Sequence, residues 1–277
     1  MQVCVAALQM VSTPVVAANL ATAERLIADA VAAGASVVLL PEYFCLLGRR
    51  DTDKVDIKEA VGGPIQTFLS ECARRHGVTL IGGTVPLLSP KVGRVLNACI
   101  VFGPDGGALA RYDKIHLFGF QRGSERFDES ATILPGRTPV VCDVPVGPAA
   151  GEDGVPDSLR VGLSICYDLR FPELYRQMSP LDLIVVPSAF TYTTGQAHWE
   201  LLLRARAVEN QCYVLAAAQG GQHPNGRRTW GHSMLIDPWG EVLAVLPEGE
   251  GVVSGVVDRG RIEEVRRSLP ALDHRVL

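Results

Sequence analysis

The sequence contains no extended run of lysine and arginine residues, so it does not suggest a nucleic acid or an anionic membrane as a partner. Its 26 basic residues are outnumbered by 30 acidic residues, which leaves a net charge of −4. No apolar run is long enough to span a bilayer. We therefore predict no nucleic-acid partner and no membrane association, and a few local charges must recognise any ionic substrate.

The motifs of several enzyme classes are also missing. The chain has no phosphate-binding P-loop, no GxGxxG and no GxSxG, which argues against NTPases, dinucleotide enzymes and serine hydrolases. The seven cysteines form no CxxC and show no metal-ligand spacing, so neither a metal nor another cofactor is predicted. An odd number of scattered cysteines is typical of a reducing compartment, and we predict a cytoplasmic protein.

Strand-like and helix-like patterns alternate along the chain. The apolar start is a strand and a helix rather than a signal peptide, because no basic residue precedes Arg25. Two helical patterns end at Gly34 and Gly77, and hairpins are predicted to turn at the sequences PDGG and DPWG. The segment 147–159 is predicted to be a loop or a hairpin tip. This order predicts one α/β domain over residues 1–277, with two mixed sheets.

Cys166 ends the strand-like run RVGLSIC, and a helix is predicted to begin close to Pro172. Helix-terminal amides favour a thiolate and lower the pKa of a cysteine, so this position suits a nucleophile. A single cysteine is more often a buried core residue. The polar residues Tyr167, Asp168 and Arg170, which directly follow an apolar strand, favour a binding site instead.

Glu42 and Lys114 also follow strand-like runs. Glu42 comes at the end of SVVLLPEYF, where burial would raise the pKa of its carboxyl towards the range of a general base. Lys114 lies in ARYDKIHLF, where its ammonium could stabilise a developing oxyanion. Alone, each residue is more simply explained as an ordinary surface residue. Their chemistry becomes specific only in combination with Cys166.

The three segments PEYF, YDKIHLF and ICYDLRFPEL together resemble the three signature segments of the nitrilase superfamily of carbon–nitrogen hydrolases. The order Glu42, Lys114, Cys166 matches that family, and the resemblance extends from Val3 to Val257. It implies a four-layer αββα sandwich of the nitrilase type. Three motifs in order are far more specific than any one of them.

The resemblance also implies a reaction. Cys166 would attack an amide carbonyl, Glu42 would transfer protons, and water would hydrolyse the resulting thioester. Lys114 and the backbone N–H of Tyr167 would form the oxyanion hole. The family has a second catalytic glutamate, for which the segment GSERFDES offers Glu125 and Glu129; we prefer Glu129. The family usually forms homodimers, so a homo-oligomer is expected.

Two later segments, SAFTYTTGQAHWELLLRARAVENQCYVLAAAQGGQ and GHSMLIDPWGEV, resemble the branch of this family that contains deaminated glutathione amidases and ω-amidases. Within that branch, the run AAAQ and the loop GGQHPNG favour a resemblance to the deaminated glutathione amidases. These enzymes hydrolyse the amide of a glutathione whose amino group has become a keto group, yielding 2-oxoglutarate and cysteinylglycine. This resemblance implies a small amide of a 2-oxo acid as substrate. The alternatives are the ω-amidase substrate 2-oxoglutaramate, another short-chain amide, or a catalytically silent fold that serves as a binding partner.

A 2-oxo acid needs a fixed cation in its binding site. Arg170 lies four residues after Cys166, where its guanidinium could bind a carboxylate with two hydrogen bonds. An ion pair of Arg170 with Asp168 or Glu173 is an equally good explanation. By resemblance, Phe190 and Thr194, in the loop that follows LDLIVVPS, are expected to contribute to the substrate pocket.

Overall fold

The structure, a computed structural model, describes residues 1–123, 125–146 and 157–276, without the side chain of Glu125. Of the predicted loop 147–159, residues 147–156 lie outside the described residues. Ser158 and Leu159 belong to a strand, so the loop is shorter at its end than predicted. In the described ranges, no helix combines the length and the apolar character that a membrane crossing requires.

Most of the described strands fall into two large sheets. In chain order the strands are β1 (Gln2–Gln9), β2 (Val37–Leu39), β3 (Thr79–Ile81), β4 (Val85–Leu88), β5 (Val95–Phe102), β6 (Ala108–Asp113), β7 (Gly119–Arg122), β8 (Glu125–Asp128), β9 (Val140–Pro145), β10 (Ser158–Leu163), β11 (Leu183–Ser188), β12 (Tyr213–Ala218), β13 (Gly220–Gln222), β14 (Arg228–Trp230), β15 (Ser233–Ile236), β16 (Val242–Leu246) and β17 (Gly251–Asp258). The first sheet has the order β17-β1-β2-β3-β5-β4 with β6 beside β5, and the second has the order β16-β15-β12-β11-β10-β9. The pairs β7–β8 and β13–β14 form two small hairpins.

The helices cover the outer faces of these sheets. They are α1 (Val16–Ala32), α2 (Asp53–Asp56), α3 (Pro64–His76), α4 (Pro172–Met178), α5 (Tyr192–Asn210) and α6 (Arg259–Ser268). Helix α1 packs on β1 and β17, α3 packs on β3 and β5, and α5 packs on β12 and β15. The sequence signals for both helix ends are confirmed, because Gly34 and Gly77 have positive φ angles of 92° and 63°, two residues after the end of α1 and directly after α3.

The alternation of side chains along β1 shows how the layers are joined. Val3, Val5 and Ala7 belong to the hydrophobic cluster that fills the space between the two sheets. Ala6 and Leu8 belong to a second cluster beneath α1 and α3. Strand β1 is thus buried on both faces, and the arrangement is helix, sheet, sheet, helix, as predicted.

One local prediction is wrong. Thr194 lies in the first turn of α5 and not in a loop. The side-chain hydroxyl of Thr191 accepts a hydrogen bond from the backbone N–H of Thr194, so Thr191 caps the helix and starts it at Tyr192. The helical periodicity from Ala197 onwards gave no sign of this earlier turn. The two predicted hairpins, β5–β6 and β15–β16, are confirmed.

Candidate active site

The predicted catalytic residues come together where strands of both sheets end. Glu42 follows β2, Lys114 follows β6 and Cys166 follows β10. In the second sheet, β10, β11 and β12 run parallel to one another, so their carboxyl ends lie at the same edge. Ala189 and Gln219 follow β11 and β12 at this edge, and both donate hydrogen bonds to Glu42.

Glu42 is held by groups that follow three different strands and by one residue within β5. Its Oε1 accepts hydrogen bonds from Lys114 Nζ at 2.8 Å and from Asn97 Nδ2 at 2.9 Å. Its Oε2 accepts one from the backbone N–H of Ala189 at 3.1 Å, and its backbone carbonyl accepts one from Gln219 Nε2 at 3.1 Å. Glu42 is only 1% exposed. A carboxylate held from so many sides is fixed in one orientation.

The ammonium of Lys114 is fully buried between two carboxylates. Its Nζ lies 2.8 Å from Glu42 Oε1 and 2.8 Å from Glu129 Oε2. Burial alone would lower the pKa of Lys114, but the negative charges of Glu129 and Glu42 outweigh it and hold this pKa well above its usual value. Lys114 therefore remains a cation inside the protein.

Glu129 shares Lys114 with Glu42 but has different additional hydrogen-bond donors. The hydroxyl of Tyr43 donates to Oε1 of Glu129 at 2.8 Å, and the backbone N–H of Phe118 donates to Oε2 at 2.7 Å. Burial would raise the pKa of Glu129, but Lys114 and these donors lower it below the usual value. Burial raises the pKa of Glu42, which Lys114 only partly offsets. The two carboxyls thus differ, and Glu42 is the stronger base.

Cys166 has a left-handed backbone conformation, with φ at 50°, which is uncommon for a residue with a side chain. It opens a short 3₁₀ turn, Cys166–Arg170, that leads into α4. We expected helix-terminal amides to lower the pKa of Cys166, and this expectation is wrong. Burial, and then the negative charge of Glu42, raise the pKa of this thiol well above its usual value. Cys166 at rest is therefore a thiol, and it would need a base in order to act as a nucleophile.

Asp168 joins the turn that carries Cys166 to the segment that carries Lys114. Its Oδ2 accepts hydrogen bonds from the backbone N–H of Ile165 at 2.9 Å and from the hydroxyl of Tyr112 at 2.7 Å. Its Oδ1 accepts one from the backbone N–H of His116 at 3.0 Å. Because Asp168 is fully buried, this network fixes the two segments relative to each other.

A cavity of about 330 Å³ opens in front of these groups. Glu42, Glu129 and Cys166 lie at its inner end. Its other walls contain aromatic and basic side chains, namely Tyr43, Phe118, Phe127 and Tyr192 and the cations Arg50, Lys54, Arg227 and Arg228. This volume lies at the lower end of the range for sites that bind drug-sized molecules.

Arg170, Phe190 and Thr194 line a narrow crevice of about 10 Å³ beside Cys166, together with Tyr167. The guanidinium of Arg170 lies 5.6 Å from the ring centre of Tyr167 and 5.5 Å from that of Phe190. Its Nη1 lies 3.3 Å from His198 Nδ1. The alternative that Arg170 forms an ion pair with Asp168 or Glu173 is wrong, because no such pair is formed. Among the described residues its guanidinium has no carboxylate partner, so its charge is available to an anion.

Several residues that hold the site were not predicted from the sequence. Tyr43 and Asn97 contact Glu129 and Glu42 directly, and the basic residues of the outer cavity wall were not recognised. The asparagine inside the apolar run VLNACIVF was a usable signal, because a polar residue in a buried strand needs a partner. Glu125 lies in β8, and its side chain is outside the described residues. Among the residues that the structure describes, no cluster could hold a metal ion.

Comparison with known proteins identifies the family. A sequence profile described as carbon–nitrogen hydrolase matches residues 4–267. The chain belongs to the carbon–nitrogen hydrolase family. It is therefore a hydrolase of carbon–nitrogen bonds, as the three signature segments indicated.

Relatives of this carbon–nitrogen hydrolase include two kinds of amidase. A deaminated glutathione amidase of Synechocystis sp. is 42% identical over 275 residues, which cover 98% of this chain and 97% of the relative. The omega-amidase NIT2-A of Xenopus laevis is 39% identical over 265 residues, which cover 95% and 91%.

The fold matches a solved structure of the same superfamily. The crystal structure of Saccharomyces cerevisiae Nit3, a member of branch 10 of the nitrilase superfamily, is 31% identical with a TM-score of 0.86. The match covers 100% of this chain and 97% of that one. The predicted nitrilase-type sandwich is confirmed.

Proposed function

We propose that this carbon–nitrogen hydrolase cleaves the amide bond of deaminated glutathione and releases 2-oxoglutarate and cysteinylglycine. The observation that carries the proposal is the buried group of Glu42, Lys114, Glu129 and Cys166 at the inner end of a substrate-sized cavity. The choice of substrate is supported by the Synechocystis relative, whose name states this activity and which matches nearly the full length of the chain.

In the first half of the reaction, Cys166 is the nucleophile. Glu42, which hydrogen-bonds the thiol, accepts its proton while the sulfur attacks the amide carbonyl. The raised pKa values of both groups suit this transfer, because the proton stays on sulfur at rest and the carboxylate is a strengthened base. Glu42 then gives the proton to the leaving amine, and a thioester remains on Cys166.

In the second half, Glu42 takes a proton from a water molecule, and the hydroxide attacks the thioester carbonyl. Cys166 leaves and recovers its proton, which releases 2-oxoglutarate. In both halves negative charge develops on the carbonyl oxygen, and we assign its stabilisation to Lys114 and the backbone N–H of Tyr167. Glu129 supports this role because its carboxylate keeps Lys114 charged.

We assign Arg170, Phe190 and Thr194 to the 2-oxo acid end of the substrate. Arg170 has no carboxylate partner among the described residues, and its narrow crevice opens beside Cys166. A bound carboxylate would pair with this guanidinium. The aromatic ring of Phe190 packs against the same guanidinium and limits the orientations it can adopt.

A second candidate function is ω-amidase activity on 2-oxoglutaramate, which has the same acyl group but ammonia as its leaving group. The Xenopus relative favours it, since its identity is only slightly lower. The size of the main cavity favours the larger substrate, because 2-oxoglutaramate would leave most of it empty.

The test measures release of 2-oxoglutarate from both amides by the purified protein and by Cys166→Ala. A clear preference for deaminated glutathione, lost in the variant, is the expected result. Preference for 2-oxoglutaramate would replace the proposal with ω-amidase. Absence of turnover for both, with Cys166 still reactive towards iodoacetamide, would favour a catalytically silent binding protein.

We also propose that the chain acts as a single domain in the cytoplasm and forms a homodimer. All seven cysteines are free, which supports a reducing compartment. The homodimer rests on the family resemblance. Sedimentation equilibrium at several protein concentrations would test it, and a mass of one chain throughout would contradict it.

A further inference from the structure

The outer wall of the main cavity is unusually rich in cations. Arg50, Lys54, Arg227 and Arg228 all line it, and none of them contacts the four catalytic residues. The mechanism proposed above gives them no role. Whether they can bind a ligand depends on which of these charges is already neutralised by the protein.

The three arginines already have carboxylate partners. Arg50 Nε lies 2.9 Å from Asp53 Oδ1, and Arg227 forms an ion pair with Asp51. Arg228 Nη2 lies 2.8 Å from Glu248 Oε1, and its guanidinium also covers the ring of Tyr192 at 3.9 Å from the ring centre.

Lys54 differs from its neighbours because it forms no ion pair with any carboxylate in the described part of the chain. Its Nζ donates a long hydrogen bond of 3.3 Å to the hydroxyl of Thr132 and lies 5.5 Å from the ring centre of Tyr43. Burial lowers the pKa of Lys54. The ammonium has therefore lost hydration without gaining a full counter-charge, and a ligand anion would supply one.

We propose that Lys54 binds a carboxylate on the leaving-amine portion of the substrate, within the main cavity that Cys166 also lines. This inference rests on the proposed function. Deaminated glutathione carries one carboxylate on its 2-oxo acid end and another on its terminal glycine. Arg170 and Lys54 lie in different pockets that share Cys166, so one cation is available for each carboxylate.

Lys54 would then determine specificity rather than chemistry. 2-Oxoglutaramate has the same acyl group but no second carboxylate, so it gains nothing from Lys54. A contact with a group that does not change during the reaction stabilises bound substrate and transition state equally, and its loss therefore raises KM and leaves kcat nearly unchanged.

The experiment compares Lys54→Met, Lys54→Arg and Lys58→Met with the unchanged protein. Methionine retains most of the length of the lysine side chain without its charge, and arginine retains the charge. Lys58 is a matched control, because it is exposed and its Nζ bonds only the carbonyl of Val55. Three substrates are used: deaminated glutathione, the same compound with its glycine carboxylate converted to an amide, and 2-oxoglutaramate.

For Lys54→Met we expect kcat/KM for deaminated glutathione to fall about 10- to 100-fold, mostly through KM, as for a lost hydrogen bond between charged groups. Turnover of the other two substrates should be unchanged. Lys54→Arg should retain part of the preference for deaminated glutathione over the other two substrates, and Lys58→Met should retain all of this preference. An equal loss on all three substrates would overturn the proposal, since Lys54 would then act through Tyr43 and Glu129. An unchanged kcat/KM for deaminated glutathione would also overturn it.

A binding measurement separates this proposal from the proposed function. Titration calorimetry of Cys166→Ala protein with deaminated glutathione and with its glycine amide measures how much the terminal carboxylate contributes to binding, without any turnover. Tighter binding of the acid, lost when Lys54→Met is added, supports the site even if the natural substrate is another amide. Equal binding of acid and amide, or binding of neither, overturns it.

Discussion

The two ends of the cavity each contain a lysine, but the two lysines differ in their carboxylate contacts and in the direction in which their pKa is shifted. At the inner end, Lys114 is fully buried and contacts two carboxylates, and its pKa is held high. At the outer end, Lys54 has no carboxylate partner among the described residues, and burial lowers its pKa. In the mechanism we propose, the lysine that the protein already pairs with carboxylates takes part in the chemistry, and the lysine without such a pair is available to a ligand.

The difference arises because different kinds of structural element form the two ends of the cavity. The inner residues follow strands of the two packed sheets, so the backbone of the core fixes their positions. Lys54 lies on α2, a helix of only four residues, and Arg227 and Arg228 lie at the start of the short strand β14. Outer residues can therefore vary without disturbing the fold, as expected for a region that selects substrates.

The strongest test of this contrast is Lys114→Met. The substitution leaves Glu42 and Glu129 buried without their shared counter-charge, which costs about 3–5 kcal/mol of unfolding free energy. Hydrolysis should fall below detection, because the oxyanion loses its cation. Urea unfolding monitored by circular dichroism measures the first effect, and 2-oxoglutarate release the second.

Lys54→Met is the matched control for stability, because no carboxylate loses an ion pair. If Lys54→Met lowered the free energy of unfolding as much as Lys114→Met does, the proposed difference between the two lysines would be wrong.

The effect of Lys114→Met should also depend on pH. Without Lys114 the folded-state pKa values of both carboxyls rise above their unfolded values, so the folded variant binds more protons and its deficit shrinks as the pH falls.

Glu42→Gln should give the next largest effect. The amide preserves the shape and some hydrogen bonds but cannot accept the thiol proton, and general-base catalysis contributes about 10²- to 10⁴-fold to a rate. Single-turnover kinetics would show the loss in formation of the thioester. If kcat/KM fell less than tenfold for every substrate, Glu42 would not be the base.

Much of the fold was predictable from local signals. Gly34 and Gly77 mark helix ends because a left-handed residue is needed there, and the hairpin turns mark strand pairs. The early start of α5 was not predictable, because it depends on whether Thr191 turns its hydroxyl towards the N–H of Thr194. The hydroxyl of a threonine in a loop can either cap a helix or point away from it.

The catalytic residues were predictable only as a set of motifs. Their electrostatic states were not, since the pKa of Cys166 depends on its distance from Glu42 and on the atoms that bury it. Helix position alone suggested a lowered pKa, but burial, and then the charge of Glu42, raise it. Lys54 gave no signal at all, because its lack of a partner is visible only once the positions of all nearby carboxylates are known.

Glu129→Gln should have a smaller effect than Glu42→Gln and should reveal itself in the pH profile. The lost contact with Lys114 is one between charged groups, so we expect kcat/KM to fall about 10- to 100-fold. The charge of Glu129 also raises the pKa of Glu42. Because Glu42 must be ionised to act, removing that charge moves the acid limb of kcat/KM to lower pH. A limb that stays in place would show that Glu129 does not influence the base.

Tyr43→Phe should have the smallest effect, and it tests whether the two ends are separate. Tyr43 touches both, because its hydroxyl donates to Glu129 and its ring lies beneath Lys54. Loss of the hydroxyl removes one of several hydrogen-bond donors to Glu129. This loss costs about 1 kcal/mol, which lowers kcat roughly fivefold. If Lys54 acts on the substrate alone, the double variant Tyr43→Phe, Lys54→Met should show the product of the two single effects. A smaller combined effect would mean that Lys54 acts through the Tyr43 hydroxyl on Glu129, and the two ends would then form one site.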